Sequence, residues 1–111
     1  MTWDGTTAVL STTSAGGNEY AIPTGYDEVV AQAENNDVDL NLSVFMDGQD
    51  LKDMLASDSG RAQAVEQIIN ELTIPYNTIG KNPYDGVTID FEGLRSESIV
   101  TFDQFLTELS T

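Results

Sequence analysis

Two carboxyl side chains, Asp90 and Glu92, alternate with the apolar residues Val87, Ile89 and Phe91 in the last quarter of the sequence. If this segment is a strand, both carboxyl groups lie on one face, about 6.6 Å apart along the chain. Like charges at this range raise the pKa of one carboxyl group, which then stays protonated near neutral pH. A carboxyl pair with one member held as an acid is suited to the cleavage of a glycosidic bond.

The composition excludes most other kinds of catalytic site. The chain has 111 residues, 19 acidic and 4 basic side chains, no histidine and no cysteine, and a formal net charge of −15. It therefore cannot form a Cys/His zinc site, a disulfide, a Ser-His-Asp triad or a Cys-His dyad. Proton transfer is left to carboxyl groups, tyrosine or lysine. The negative charge argues against a nucleic-acid partner, and no apolar run approaches the roughly 20 residues of a membrane helix.

A second group of acids, Asp47, Asp50 and Asp53, follows a predicted strand. Their spacing differs from that of a calcium-binding loop. We interpret them as acids at the start of a helix, where the helix dipole favours negative charge. The sequence therefore predicts no metal site and no cofactor.

The elements that must position the acid pair can be predicted from hydrophobic periodicity and capping residues. Strand and helix patterns alternate, so the predicted fold class is α/β, built from about three parallel βα units with right-handed crossovers. On the longest helix, the residues predicted to be buried are Ala62, Val65, Ile68, Ile69 and Leu72. The predicted elements are a strand over 7–11, an extended piece at 20–22, a helix from a Thr24 cap to 35–36, a strand over 38–45, a helical turn around 51–55, a helix from caps at 57–59 to Pro75, a strand over 87–92 and a helix around 99–109.

The pattern Asp85-Gly86-x-x-x-Asp90-x-Glu92 resembles the signature of glycoside hydrolase family 18, the chitinase-like TIM barrels. In that family the motif is Asp-Gly-x-Asp-x-Asp-x-Glu on the fourth barrel strand. This sequence departs from it at Thr88, where chitinases carry Asp, and at Phe91, where they usually carry Trp. The resulting form is more similar to the spore-cortex and cell-wall-lytic branch of the family.

The resemblance implies a role for each residue of the motif. Glu92 would be the acid that protonates the glycosidic oxygen, and Asp90 would orient the N-acetyl group of the substrate, whose carbonyl oxygen is the nucleophile. Asp85 and Thr88 would belong to the substrate-binding part of the motif. Residues 1–111 would form one partial domain, the N-terminal half of a (β/α)8 barrel from about the second strand to the fourth helix.

The expected function is thus part of a retaining, substrate-assisted glycosidase acting on β-linked N-acetylated amino-sugar polymers, either chitin-like or peptidoglycan-like. The resemblance also implies a bacterial parent protein that is extracellular or associated with the cell wall. We expect the isolated chain to have little or no activity, because it lacks a complete water-excluding pocket. Two alternatives remain: a barrel relative that binds carbohydrate without cleaving it, and an α/β fragment that forms a homo-oligomer through its open sheet edges.

Two aromatic residues have more than one interpretation. Phe45, near the end of the predicted strand over 38–45, could line a sugar subsite or fill the core, and core filling is favoured. Trp3 could be a platform on which a sugar stacks, or a terminal residue that covers the edge of the sheet. The sequence does not decide between these two roles.

Overall fold

A computed structural model of the chain describes residues 1–10, 25–76 and 79–110. Within these ranges the fold is mixed α/β, with four helices and two small sheets. The extended piece expected at 20–22 and the expected cap at Thr24 lie outside the described residues. The elements are β1 (Thr2–Trp3), β2 (Ala8–Val9), α1 (Tyr26–Asn35), β3 (Asn41–Met46), α2 (Gly48–Ala56), α3 (Asp58–Thr73), β4 (Gly86–Phe91), a short 3₁₀ helix (Ser96–Ser98) and α4 (Ile99–Ser110).

Strands β3 and β4 form a parallel pair, which confirms the predicted direction for this part of the sheet. Their register places Leu42, Val44 and Met46 opposite Val87, Ile89 and Phe91. These six residues belong to the hydrophobic core or pack against it. Because successive side chains of a strand point to opposite faces, the pair has an apolar face, which contacts the helices, and a second face with exposed Ser43 and Thr88.

The strand predicted over 7–11 is wrong in its direction, and its last residue lies outside the described residues. Among residues 7–10, Ala8–Val9 is extended, and it pairs antiparallel with Thr2–Trp3 in a separate sheet. The reason is local: the Asp4 carboxylate accepts hydrogen bonds from the N–H groups of Thr6 and Thr7, and Gly5 has a φ of 97°. A connection this short can join only antiparallel strands. The sheet is therefore not parallel throughout.

Helix α3 covers the outer edge of β2 with two glutamine side chains. The N–H of Ala8 donates to Gln63 Oε1 at 2.9 Å, and Gln67 Nε2 donates to the carbonyl of Ala8 at 2.7 Å. Gln63 Nε2 also donates to the carbonyl of Thr6. These side-chain amides satisfy the backbone groups that a further strand would otherwise pair.

The buried face of α3 is rotated from the predicted one. Ile68 is buried as expected, but Ala62 and Ile69 are exposed. The small residues Gly60 and Ala64 lie inside instead, because this is where the N-terminal hairpin approaches the helix. A Cβ on Gly60 would lie 3.2 Å from the ring of Trp3 and 2.7 Å from the carbonyl oxygen of Met54.

Two charged residues of α3, Arg61 and Glu71, are also buried, which hydrophobic periodicity alone does not predict. Arg61 donates to Glu108 of α4 at 3.0 Å, to the carbonyl of Leu55 at 2.6 Å and to Asp58. These bonds join the end of α2 and the start of α3 to α4. Buried charges are tolerated when they are paired in this way.

Helix α4 packs its buried Phe105 against Phe91 of β4, with ring centroids 5.2 Å apart. The last strand and helix of the prediction are thus confirmed. The outer edge of β4 has no strand partner among the described residues, so assembly through an open edge stays a prediction. No helix in the described part of the chain has the length and apolar character needed to cross a membrane.

Candidate active site

The candidate site lies at the carboxyl ends of β3 and β4. The N–H of Glu92 donates to the carbonyl of Met46 at 3.0 Å, which extends the parallel pairing one residue past the end of β4. Asp47 follows Met46 directly, just as Glu92 follows Phe91. The two acids therefore leave the sheet side by side, at the edge where α/β proteins carry their active sites.

A glycine with positive φ follows each of these two acids. Gly48 has a φ of 73° and Gly93 a φ of 74°, values that strain any residue with a Cβ. At these two positions the chain turns sharply away from the sheet. The carboxyl groups before the turns are consequently left exposed at the edge.

Asp90 and Glu92 come together on the same side of β4, as the alternation predicts. Their carboxyl groups share a hydrogen bond, and the negative charge of Asp90 is the largest cause that raises the pKa of Glu92. Partial desolvation, this hydrogen bond and the charge of Asp47 raise it further. The geometry therefore favours the protonated, proton-donating form of Glu92.

Asp90→Asn is expected to lower the pKa of Glu92 towards its ordinary value of 4.5, because the substitution removes the largest cause of the shift. The titration of the Glu92 side-chain carboxyl can be followed by ¹³C NMR. Asp39→Asn is the control: it also removes one negative charge, but from an exposed side chain next to the opposite end of β3. An unchanged pKa of Glu92 in Asp90→Asn would contradict the assignment.

The same shift has a consequence for stability. Above pH 4.5, until Glu92 ionises in the folded state, the Glu92 carboxyl binds more protons in the folded chain than in the unfolded chain. The contribution of Glu92 to the free energy of unfolding therefore falls as the pH rises through the raised pKa. In Asp90→Asn, the free energy of unfolding should therefore depend less on pH in this range.

Asp47 is a member of the site that the sequence analysis missed. It was interpreted as an acid at a helix start, and it is the N-cap residue of α2, but its side chain makes no capping hydrogen bond. Its charge instead contributes to the raised pKa of Glu92. The available signal was its position directly after a strand, which is also the position of Glu92.

Two further predicted residues lie on the same open face of the sheet. Phe45 is opposite Asp90 in the strand register, and Thr88 is two residues before Asp90. Phe45 is half-buried and, with Asp47 and Asp50, lines a small cavity of about 130 Å³. Either role considered for Phe45, lining a subsite or filling space, is compatible with this position.

The structure does not bring Asp85 and Trp3 to the site. Asp85 lies at the start of β4, roughly 23 Å from Glu92 along an extended strand, and its carboxylate accepts the N–H of Leu40 at 2.8 Å. Trp3 is 8% exposed, packs over Gly60 and belongs to the hydrophobic core. Of its two interpretations, the covering role agrees with this burial.

Within residues 1–10, 25–76 and 79–110, no group of three or more acidic side chains is arranged to hold a metal ion. Comparisons with protein-family models, with curated proteins and with solved structures found no match to this chain.

Proposed function

We propose that this chain is part of a glycoside hydrolase and carries its general acid, Glu92, together with Asp90. The observation behind the proposal is the hydrogen-bonded carboxyl pair at the carboxyl edge of two parallel strands. Within this pair, the charge of Asp90 raises the pKa of Glu92. A general acid must be protonated at working pH, and a carboxyl neighbour is a common means of achieving this.

The closeness of the two carboxyl groups favours a substrate-assisted mechanism. In most retaining glycosidases the acid and the nucleophile lie roughly 5 Å apart on either side of the scissile bond, and in inverting enzymes they lie further apart to leave room for a water. Asp90 and Glu92 instead lie two residues apart on one side of one strand, where they interact directly, so they do not flank a sugar from opposite sides. The nucleophile must then come from elsewhere, and an N-acetyl group of the substrate can supply it.

In the proposed reaction, Glu92 protonates the glycosidic oxygen as the bond to the anomeric carbon breaks. The acetamide carbonyl oxygen of the sugar attacks that carbon, while Asp90 accepts a hydrogen bond from the acetamide N–H and holds the group in position. The Glu92 carboxylate then takes a proton from the water that opens the cyclic intermediate. Two displacements at one carbon retain the anomeric configuration.

The uncovered face of β3 and β4 supports an incomplete (β/α)8 barrel. A parallel sheet is normally covered on both faces, yet the face with Ser43, Thr88 and the acid pair is exposed in the described part of the chain. In a complete barrel this face would point inward, towards the substrate. We also expect the complete protein to be bacterial and to act outside the cell or at the cell wall, where N-acetylated amino-sugar polymers occur.

The proposed mechanism is tested by comparing N-acetylated with N-deacetylated chito-oligosaccharides on the complete barrel protein. We expect cleavage of the acetylated substrate with retained anomeric configuration, measured by ¹H NMR of the first product. The deacetylated substrate lacks the nucleophile and should not be cleaved at a measurable rate. Equal rates on both substrates, or an inverted product, would contradict the mechanism.

A further inference from the structure

A second candidate site lies at the opposite end of β3 and β4 from the carboxyl pair. It is a cavity of about 190 Å³ between α1, the start of β3 and the residues Tyr76, Pro83 and Tyr84. Three tyrosines, Tyr26, Tyr76 and Tyr84, form much of its wall. Pockets for drug-sized molecules measure roughly 300–1,000 Å³, so this cavity fits a small group.

The ring of Tyr76 makes a steep angle with each of the other two rings. Tyr26 and Tyr76 have ring centroids 5.6 Å apart and an interplanar angle of 67°, and Tyr76 and Tyr84 are 5.8 Å apart at 89°. Adjacent rings in this arrangement can contact a small group from more than one side, and such a site is called an aromatic box. Aromatic boxes of this kind bind alkylated ammonium groups, because the ring faces carry negative electrostatic potential.

Hydrogen bonds hold two of the rings in place and increase their electron density. The hydroxyl of Tyr76 donates to Glu71 Oε1 at 2.5 Å, and the hydroxyls of Tyr76 and Tyr84 are hydrogen-bonded at 3.0 Å. A phenol that donates to a carboxylate becomes more electron-rich, and linked hydrogen bonds polarise one another. The buried Glu71 thus strengthens the attraction of these rings for a cation.

The charges around the cavity also favour a cation. Asp85 follows Tyr84, and its carboxylate accepts a hydrogen bond from the N–H of Leu40, a residue that lines the cavity. Asp27 and Glu28 occupy the first turn of α1 beside Tyr26, where they offset the positive end of the helix dipole.

One cation, Lys81, belongs to the segment next to the cavity, and it is paired with Glu34 of α1. Its charge is therefore compensated. Together with the net charge of −15, these groups give the surroundings a negative potential.

We propose that this cavity binds a small free quaternary ammonium compound of the choline type. Its methyl groups would contact the tyrosine rings and Val29, while its charge faces the ring surfaces and Asp85. The ring geometry and the charge favour this class over a neutral apolar ligand, which would gain only from burial, and over an anion, which the surrounding acids would repel.

The experiment is an NMR titration of the whole chain with choline and with its neutral isostere, 3,3-dimethyl-1-butanol, at constant ionic strength. We expect choline to shift the resonances of Tyr26, Tyr76 and Tyr84 and to bind about tenfold more tightly than the neutral alcohol. Equal affinity for the two compounds would overturn the proposal, since a purely apolar pocket would not distinguish them. Absence of choline binding would overturn it as well.

Two variants of Tyr26 separate the aromatic contribution from general attraction to an acidic protein. Tyr26→Phe keeps the ring and should keep the affinity for choline within about twofold. Tyr26→Leu leaves the net charge of the chain unchanged and keeps an apolar side chain, but it removes the ring face. The affinity of this variant for choline should therefore fall to the affinity of the unaltered chain for the neutral alcohol. Unchanged choline binding in Tyr26→Leu would contradict the proposal. The comparison of choline with the neutral alcohol uses the unaltered chain, so it remains valid even if a variant fails to fold.

Discussion

Under the function proposed above, Glu92→Gln is expected to lower kcat of the complete enzyme on an N-acetylated oligosaccharide by about 10²- to 10⁴-fold, the usual contribution of a general acid. Glutamine has nearly the same size and still forms hydrogen bonds, but it has no proton to give to the glycosidic oxygen. Substrate binding should change little, so KM should stay close to its original value. The loss therefore belongs to the chemical step.

Glu66→Gln is the matched control for this experiment. Glu66 is exposed on α3, and its substitution removes the same charge without touching the carboxyl edge of the sheet. It should leave kcat and KM unchanged. If Glu92→Gln retained more than about a tenth of the original turnover, Glu92 would not be the general acid.

Phe105→Ala is expected to reduce the free energy of unfolding by about 3–5 kcal/mol, which is typical when a large buried aromatic side chain is removed. Phe105 is fully buried and contacts Phe91, the last residue of β4 before Glu92. The substitution leaves a cavity between α4 and the strand that carries the acid pair. Domains of this size are stable by only about 5–15 kcal/mol, so the substitution should remove a large share of the free energy of unfolding.

The measurement is urea unfolding followed by circular dichroism, with Leu106→Ala as the control on the same helix. Leu106 is 39% exposed, so its truncation removes fewer contacts and should cost less than about 1.5 kcal/mol. Similar losses in the two variants would mean that the packing of α4 on β4 contributes little to stability. A much larger loss in Phe105→Ala is the expected result.

The parallel pair and the arrangement of its acids could be predicted because strand alternation leaves little freedom. Once Val87, Ile89 and Phe91 face the core, Asp90 must face the other way. The same argument orients Leu42 and Val44 in the neighbouring strand. The positions of the helices followed from periodicity and capping, and Ser57 indeed caps α3 by accepting the N–H of Gly60.

The errors arose where tertiary contacts decide the outcome. The N-terminal strand pairs antiparallel because a turn around Asp4 closes before a crossover can form. The buried face of α3 depends on the close approach of Trp3 to Gly60 and on the ion pairs of Arg61. Neither contact can be read from periodicity, because each joins residues far apart in the sequence. Asp47 was missed because its role depends on a neighbouring strand.

The glutamine side chains on β2 have a consequence for the behaviour of the protein at high concentration. An exposed strand edge is a template on which other molecules can add strands and grow fibrils. Gln63 and Gln67 occupy the outward N–H and C=O of Ala8, so this edge offers little to an incoming chain. The two glutamines therefore hinder the addition of another strand to β2. This protection depends on α3 staying folded beside β1 and β2.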